Sequence, residues 1–237
     1  MPDHRRHRGP APEDARAFRA EKLPELRAAV SDLSWLLGRD YPDTASLELV
    51  GNRYRLTKRQ RQAVSSVAAA EETVRARSSR RCTIQASSFS RLTIDGHNIL
   101  TTLEAALSGG VVLPTRDGTH RDLASVHGTY RQVSETVPAL ELLGQHTKAA
   151  GLERCDWLLD RPVSNSGRLK ETILRVASEN GWTWTVELVQ DPDPILAASQ
   201  KLIATADRVI LDRCGPWVDL IGEVLPDIPE AWIVDLR

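Results

Sequence analysis

Three cysteines in 237 residues, at positions 82, 155 and 214, are too few, too scattered and odd in number for a disulfide framework. None shows the paired spacing of a Cys/His zinc site. Apolar runs such as Val111-Val112-Leu113 fall far short of the ~20 residues that a membrane helix needs. The opening stretch MPDHRRHRGP lacks the apolar segment of a signal peptide, so the expectation is a cytoplasmic chain without a membrane partner. Glycine-rich signatures are missing too. Without a GxGxxG turn, a GxxxxGK loop or a GxSxG elbow, the dehydrogenase, nucleotide-triphosphatase and serine-hydrolase readings fall away. What remains is a chain with 41% apolar residues, enough to bury a core in one large domain or two modest ones.

A net charge of −1 conceals an asymmetry. Residues 1–91 carry 18 basic and 11 acidic side chains, whereas residues 92–237 carry 13 and 21. A basic half before an acidic one points to a polyanion-binding module beside a carboxylate-rich site. In the basic half, the Arg/His/Pro-rich residues up to Pro12 read as a loose arm. Leu26, Val30, Leu33, Leu36 and Leu37 then share one helical face, closed by Gly38 and Pro42. Residues 44–56 read as a short strand or turn, and Thr57 as the cap of a helix with Ala63, Val64, Val67 and Ala70 inward. Arg53, Arg55, Lys58, Arg59 and Arg61 surround Tyr54 with no acid among them. This is a candidate phosphate-binding patch, and a solvated helix start accounts for it equally well.

Beyond a polar break at 78–90 the pattern changes to strands separated by helical stretches. RLTID (91–95), DWLLD (156–160), TVELV (185–189), LIATA (202–206) and AWIVDL (231–236) predict an α/β fold with a mostly parallel sheet flanked by helices. The longest crossover reads as a helix with the seam Leu123, Val126, Tyr130, Val133, Val137 and Leu140, kinked or restarted at Pro138.

Ligands of such sheets bind beyond the carboxyl ends of the strands. Asp95, Asp160, Asp193 and Asp207 all stand at or just after those ends. Carboxylates gathered there repel, so they call for a cation or for raised pKa values, and oxygen-only ligands favour Mg²⁺ or Mn²⁺. Gly96 suits a tight strand-to-helix turn, and Asn98 can cap the next helix with its amide toward the mouth. After Asp160, the residues Ser164, Asn165, Ser166 and Gly167 lead into a helix starting at Arg168, a candidate substrate-phosphate site. A plain helix cap explains that stretch as economically.

LTIDGHNIL, the strand LLD, the acidic DPDPIL and IATADRVIL resemble, in order and spacing, the motifs of PIN-like and NYN-type nuclease domains. The whole chain further resembles an uncharacterised prokaryotic family in which a short basic domain of unknown function precedes a PIN-like half. LVGNRYRLTKRQR, GTHRDLASVHGTYR and LLDRPVSNSGRL are the stretches that carry that likeness. The resemblance implies a basic helical domain over residues 1–80 and a PIN-like α/β domain over residues 90–237. It implies Asp95, Asp193 and Asp207 as metal ligands, with Asp160 and an early acid completing the catalytic set. Glu104, Asp122 and Glu135 are the choices for that acid. Asp122 is favoured because Arg121, Asp122, Ser125 and His127 would open the seam helix near the mouth, while His120 and His127 read as surface histidines. The implied function is a Mg²⁺- or Mn²⁺-dependent nuclease acting on RNA in preference to DNA, with homo-oligomerisation left open.

Two rivals stand beside it. One is a catalytically silent RNA- or protein-binding module on the same scaffold. The other treats Asp191-Pro192-Asp193 as a phosphatase Asp-x-Asp, and fits poorly because Ile195 stands where Thr or Val is expected.

Overall fold

The computed structural model describes residues 7–124 and 130–237. The seam residue Val126, Ser125 and His127 lie outside the described residues. In chain order the helices and strands are α1 (Asp14–Ala17), α2 (Leu23–Leu37), α3 (Asp43–Arg53), α4 (Lys58–Val67), α5 (Glu71–Ser78), β1 (Arg91–Asp95), α6 (Gly96–Leu107), β2 (Val111–Pro114) and β3 (His120–Asp122). They continue with α7 (Thr136–Ala149), β4 (Arg154–Asp160), α8 (Ser166–Asn180), β5 (Trp184–Val189), α9 (Asp193–Ala197), β6 (Ile203–Ala204), α10 (Arg208–Leu211), β7 (Trp217–Val218), α11 (Leu220–Val224) and β8 (Trp232–Ile233).

The fold is α/β, built on a five-stranded parallel sheet of order β5-β4-β1-β6-β7. Successive side chains on a strand point to opposite faces, and the packing follows that rule. Trp157 and Leu159 join Leu92 and Ile94 in the main core, against Leu100, Leu140 and Ile173 of α6, α7 and α8. Leu158, Ile203 and Trp217 turn the other way, onto Leu196 of α9 and Ile210 of α10. A smaller sheet, β3-β2-β8, backs onto the N-terminal helices, with Val111, Leu113, Val234 and Leu236 in one core with Leu26, Val30, Ala63 and Val64. Among the described residues no helix is long and apolar enough to cross a membrane.

Thr57 caps α4 as expected, within a reciprocal capping box with Gln60. Residues 44–56 are mostly helix rather than strand or turn. Val50 and Ser46 face inward from α3, and the Arg61 guanidinium lies where a side chain on Gly51 would stand. The long seam helix also needs correcting. Among the described residues, Arg121 and Asp122 belong to the hairpin strand β3, paired antiparallel with β2, residues 130–135 are not helical, and α7 begins at Thr136. Pro138 sits in the first turn of α7, where an N–H has no intrahelical partner to lose. AWIVDL contributes β8 to the small sheet, pairing with β2, while the fifth strand of the main sheet is β7.

Candidate functional site

Asp95 ends β1 and Gly96 begins α6 with no residue between. The turn must be that tight because β4 passes directly beneath it. A Cβ on Gly96 would lie 2.4 Å from Leu159 Cδ2 and 2.9 Å from the Leu158 carbonyl oxygen. Asn98 does not cap α6. Its Oδ1 accepts from the Ala206 backbone N–H at 2.8 Å, lashing the β6–α10 turn to α6. On that turn Thr205 Oγ1 donates to Asp95 Oδ2 at 2.7 Å, and Asp207 Oδ1 caps α10 by accepting from the N–H groups of Val209 and Ile210. The Thr-Ala-Asp motif therefore orients Asp95 and places Asp207 beside it.

A cavity of about 290 Å³ opens at this end of the sheet, lined by Asp95, Asp122, Asp160, Asp193 and Asp207 together with His97, Asn98 and Thr101. Asp95 is 5% exposed, and burial, with Asp207, Asp193 and Asp160 nearby, pushes its pKa up to about 7 against the Thr205 hydrogen bond. Asp193 is raised by burial and by Asp207, Asp191 and Asp160. Asp122 is raised by burial, although Thr102 Oγ1 and the Ala124 N–H donate to it. Asp160 moves the opposite way, because its Oδ2 is hydrogen-bonded to His97 Nδ1 at 2.9 Å. Thr101 Oγ1 is buried at the cavity with no hydrogen-bond partner. Among the described residues, no group of three or more His, Cys, Asp or Glu side chains is gathered closely enough to hold a metal ion as it stands.

His97, Asp160 and Ser166 resemble a Ser-His-Asp arrangement, since His97 Nε2 is 3.3 Å from Ser166 Oγ. Ser166 is 2% exposed, and its hydroxyl lies 2.6 Å from the Asp160 carbonyl and 2.8 Å from that of Val163. It has neither the access nor the free proton of a nucleophile.

Of the choices for an early acid, Asp122 lines the cavity from β3. Glu104 is fully buried away from it, paired with Arg8 and accepting from Tyr130 and Thr136 hydroxyls. Glu135 meets His7. The loop after Asp160 packs rather than opens: Asn165 Nδ2 donates to the Tyr130 carbonyl, and Ser164 O accepts from Tyr130 N. Arg168 is exposed at the start of α8. The basic patch divides. Arg59 is bound to Asp14 and the Leu123 carbonyl, and Arg61 to Asn52 and the Leu56 carbonyl. Arg53, Arg55 and Lys58 are exposed. His120 is tied to Asp219 at 2.6 Å. Sequence reasoning missed His97 as the partner of Asp160, and Thr101 as a cavity group. Their signal was helical spacing, since 97, 98 and 101 share one face of α6.

Two family models match. "Domain of unknown function (DUF5616)" covers residues 84–223 and "Protein of unknown function (DUF434)" covers residues 25–80. The chain is also similar to the uncharacterized protein MJ0935 of Methanocaldococcus jannaschii, 26% identical over 202 residues, which is 84% of this chain and 96% of that protein. No solved structure matches.

Proposed function

The chain belongs to the family described as "Domain of unknown function (DUF5616)", whose model spans more than half of it, and on that premise we propose that it is a metal-dependent nuclease. Its α/β half is read as PIN-like, preceded by a basic helical domain, and its substrate as RNA. One observation carries the reading: five aspartates from β1, β3, β4, α9 and the cap of α10 line a single cavity at the carboxyl ends of the parallel strands.

The donor set suits a hard divalent cation. It is all oxygen, neighbouring carboxylates add to burial in raising the pKa of Asp95 and Asp193, and the unpartnered Thr101 hydroxyl stands among them. Asp95, Asp193 and Asp207 would hold Mg²⁺ or Mn²⁺, which when bound supplies Lewis-acid stabilisation of charge on phosphodiester oxygens. The protein's own groups do the rest. Asn98 and Thr205 fix Asp207 and Asp95. His97 keeps Asp160 ionised at the cavity wall. The buried Thr101 hydroxyl adds an oxygen with no protein partner beside these carboxylates.

The test is cleavage of structured and single-stranded RNA and DNA with Mg²⁺ or Mn²⁺, against chelator and against Asp95→Asn and Asp207→Asn. Metal-dependent cutting lost in both variants is the expected result. RNA binding with no cutting in any metal would instead make the chain a catalytically silent recognition module.

A further inference from the structure

Five of the eight exposed large apolar side chains among the described residues lie on α9, α10, α2, α3 and the α2–α3 connection. Ile195 and Val209, 49% and 54% exposed, follow Asp193 and Asp207 by two residues each, on the contacting helices α9 and α10. Val209 and Arg208 also line a cavity of about 580 Å³ together with Tyr41, 54% exposed, and Asp40 and Asp43. Leu37, the last residue of α2, also lines that cavity, and the preceding Leu36 lines a second groove of about 410 Å³. The second groove lies between α2 and α3, and it contains Trp35, Leu49 and Arg53. Trp35 is 55% exposed and Leu49 61%. Apolar groups scattered singly over a surface need no explanation, but two grooves flanked by exposed rings, one of them reaching α10 two residues past Asp207, do.

The polar groups at these grooves say what they fit. The Arg39 guanidinium lies 3.5 Å from the centre of the Trp35 ring, and Arg53 stacks at 5.6 Å from that of Tyr54. Arg53 leaves most of its side chain in solvent, and the acid in the second groove, Asp32, is already engaged by Arg53 and the Tyr54 hydroxyl. Arg55 and Lys58 come next in the sequence, exposed and with no acidic partner among the described residues. Flat faces backed by guanidinium groups are what stacked bases and their phosphates require. The carboxylates of Asp40 and Asp43 offer acceptors suited to the N–H donors of base edges rather than to phosphate.

We propose that these grooves form the track of a single-stranded nucleic acid, with bases stacking at Val209, Tyr41 and Trp35 and the backbone met by Arg39, Arg53, Arg55 and Lys58. The inference rests on the nuclease reading for its starting point, and it makes the substrate of that site a single strand. A duplex could not present its bases to these rings.

The experiment uses the full chain in chelator, so that nothing is cut, and a fluorescein-labelled twelve-nucleotide pyrimidine RNA read by anisotropy. The same RNA as a duplex and the DNA of the same sequence form the other arms. Trp35→Ala and Tyr41→Ala are each expected to weaken single-strand binding roughly five- to hundred-fold. Leu174→Ala, at an exposed apolar residue on α8 away from these grooves, should leave it unchanged. Circular dichroism checks that each variant is folded. Wild-type affinity in both ring variants, duplex bound as tightly as single strand, or no single-strand binding at all would overturn the track. So would a dimer, seen by sedimentation, that dissociates on Trp35→Ala, since the groove would then be covered by a second copy. Binding as expected without metal-dependent cleavage would sink the nuclease reading alone, whereas cleavage with unchanged binding in the ring variants would sink the track alone.

Discussion

Asp95 can be ionised in the folded protein only at a cost. Its folded pKa of about 7 lies above the unfolded value of about 3.9, so its contribution to stability is complete below about pH 4 and is lost as the pH rises through 7. By pH 8 the penalty reaches up to about 4 kcal/mol at 1.36 kcal/mol per pKa unit. Asp95→Asn should therefore raise the melting temperature of the metal-free protein at pH 8 and barely move it at pH 4. An equal shift at both pH values would show that the carboxylate is not the source of the strain. Thr101 offers a second residue-scale test. Its hydroxyl is buried without a partner, so Thr101→Val should cost less than about 1 kcal/mol in chemical denaturation, where removal of a satisfied buried hydroxyl costs about 1–3 kcal/mol.

At the scale of elements, the turn between β1 and α6 carries the most consequence. Gly96→Ala would drive a methyl into Leu159 and the Leu158 carbonyl, so β4 must move or β1 must unpair from it. A loss of about 1–3 kcal/mol is expected in denaturant melts, with the cavity aspartates displaced together. That turn was legible in the sequence because Asp-Gly-His-Asn follows a strand-like run directly. The parallel strands β4 and β5 were legible for a similar reason, β4 as the apolar run Trp157-Leu158-Leu159 and β5 as an alternation of apolar and polar residues. The two-residue strands were not. Trp217–Val218 follows Pro216 with too few residues to show a period. Trp232–Ile233 was visible as apolar, but nothing local said that it would pair with β2. Residues 120–140 misled for a physical reason: Leu123, Tyr130 and Leu140 are all buried, as the seam requires, but in a hairpin, a loop and a helix in turn. Among the acids, Glu104 and Asp122 could not be separated by spacing. What separates them is Arg8, almost a hundred residues away, which claims Glu104 for the interior.

Across the whole molecule, buried charge ties the N-terminal helices to the rest. Asp117, fully buried between β2 and β3, binds Arg77 of α5 and Arg121 of β3, and these partners together hold its carboxyl well below the usual range despite burial. Its contribution is present above the unfolded value of about 3.9 and is lost as the pH falls below that toward the folded one. Asp117→Asn, which leaves two guanidinium groups short of their partner, should cost about 3–5 kcal/mol at pH 7. It should also flatten the acid side of the stability profile between about pH 4 and pH 2. Matching acid limbs in wild type and variant would reject this assignment. Val234 and Leu236 sit in the same core as Leu26 and Val30, some two hundred positions upstream. Although α3 and α4 can cover most of the α2 stripe once they are made, a ribosome must deliver nearly the whole chain before Val234 and Leu236 can close this core. During synthesis the part of that core filled by Val234 and Leu236 stays open to chaperones and to neighbouring nascent chains, which makes the helical half the first part made and among the last to be sealed.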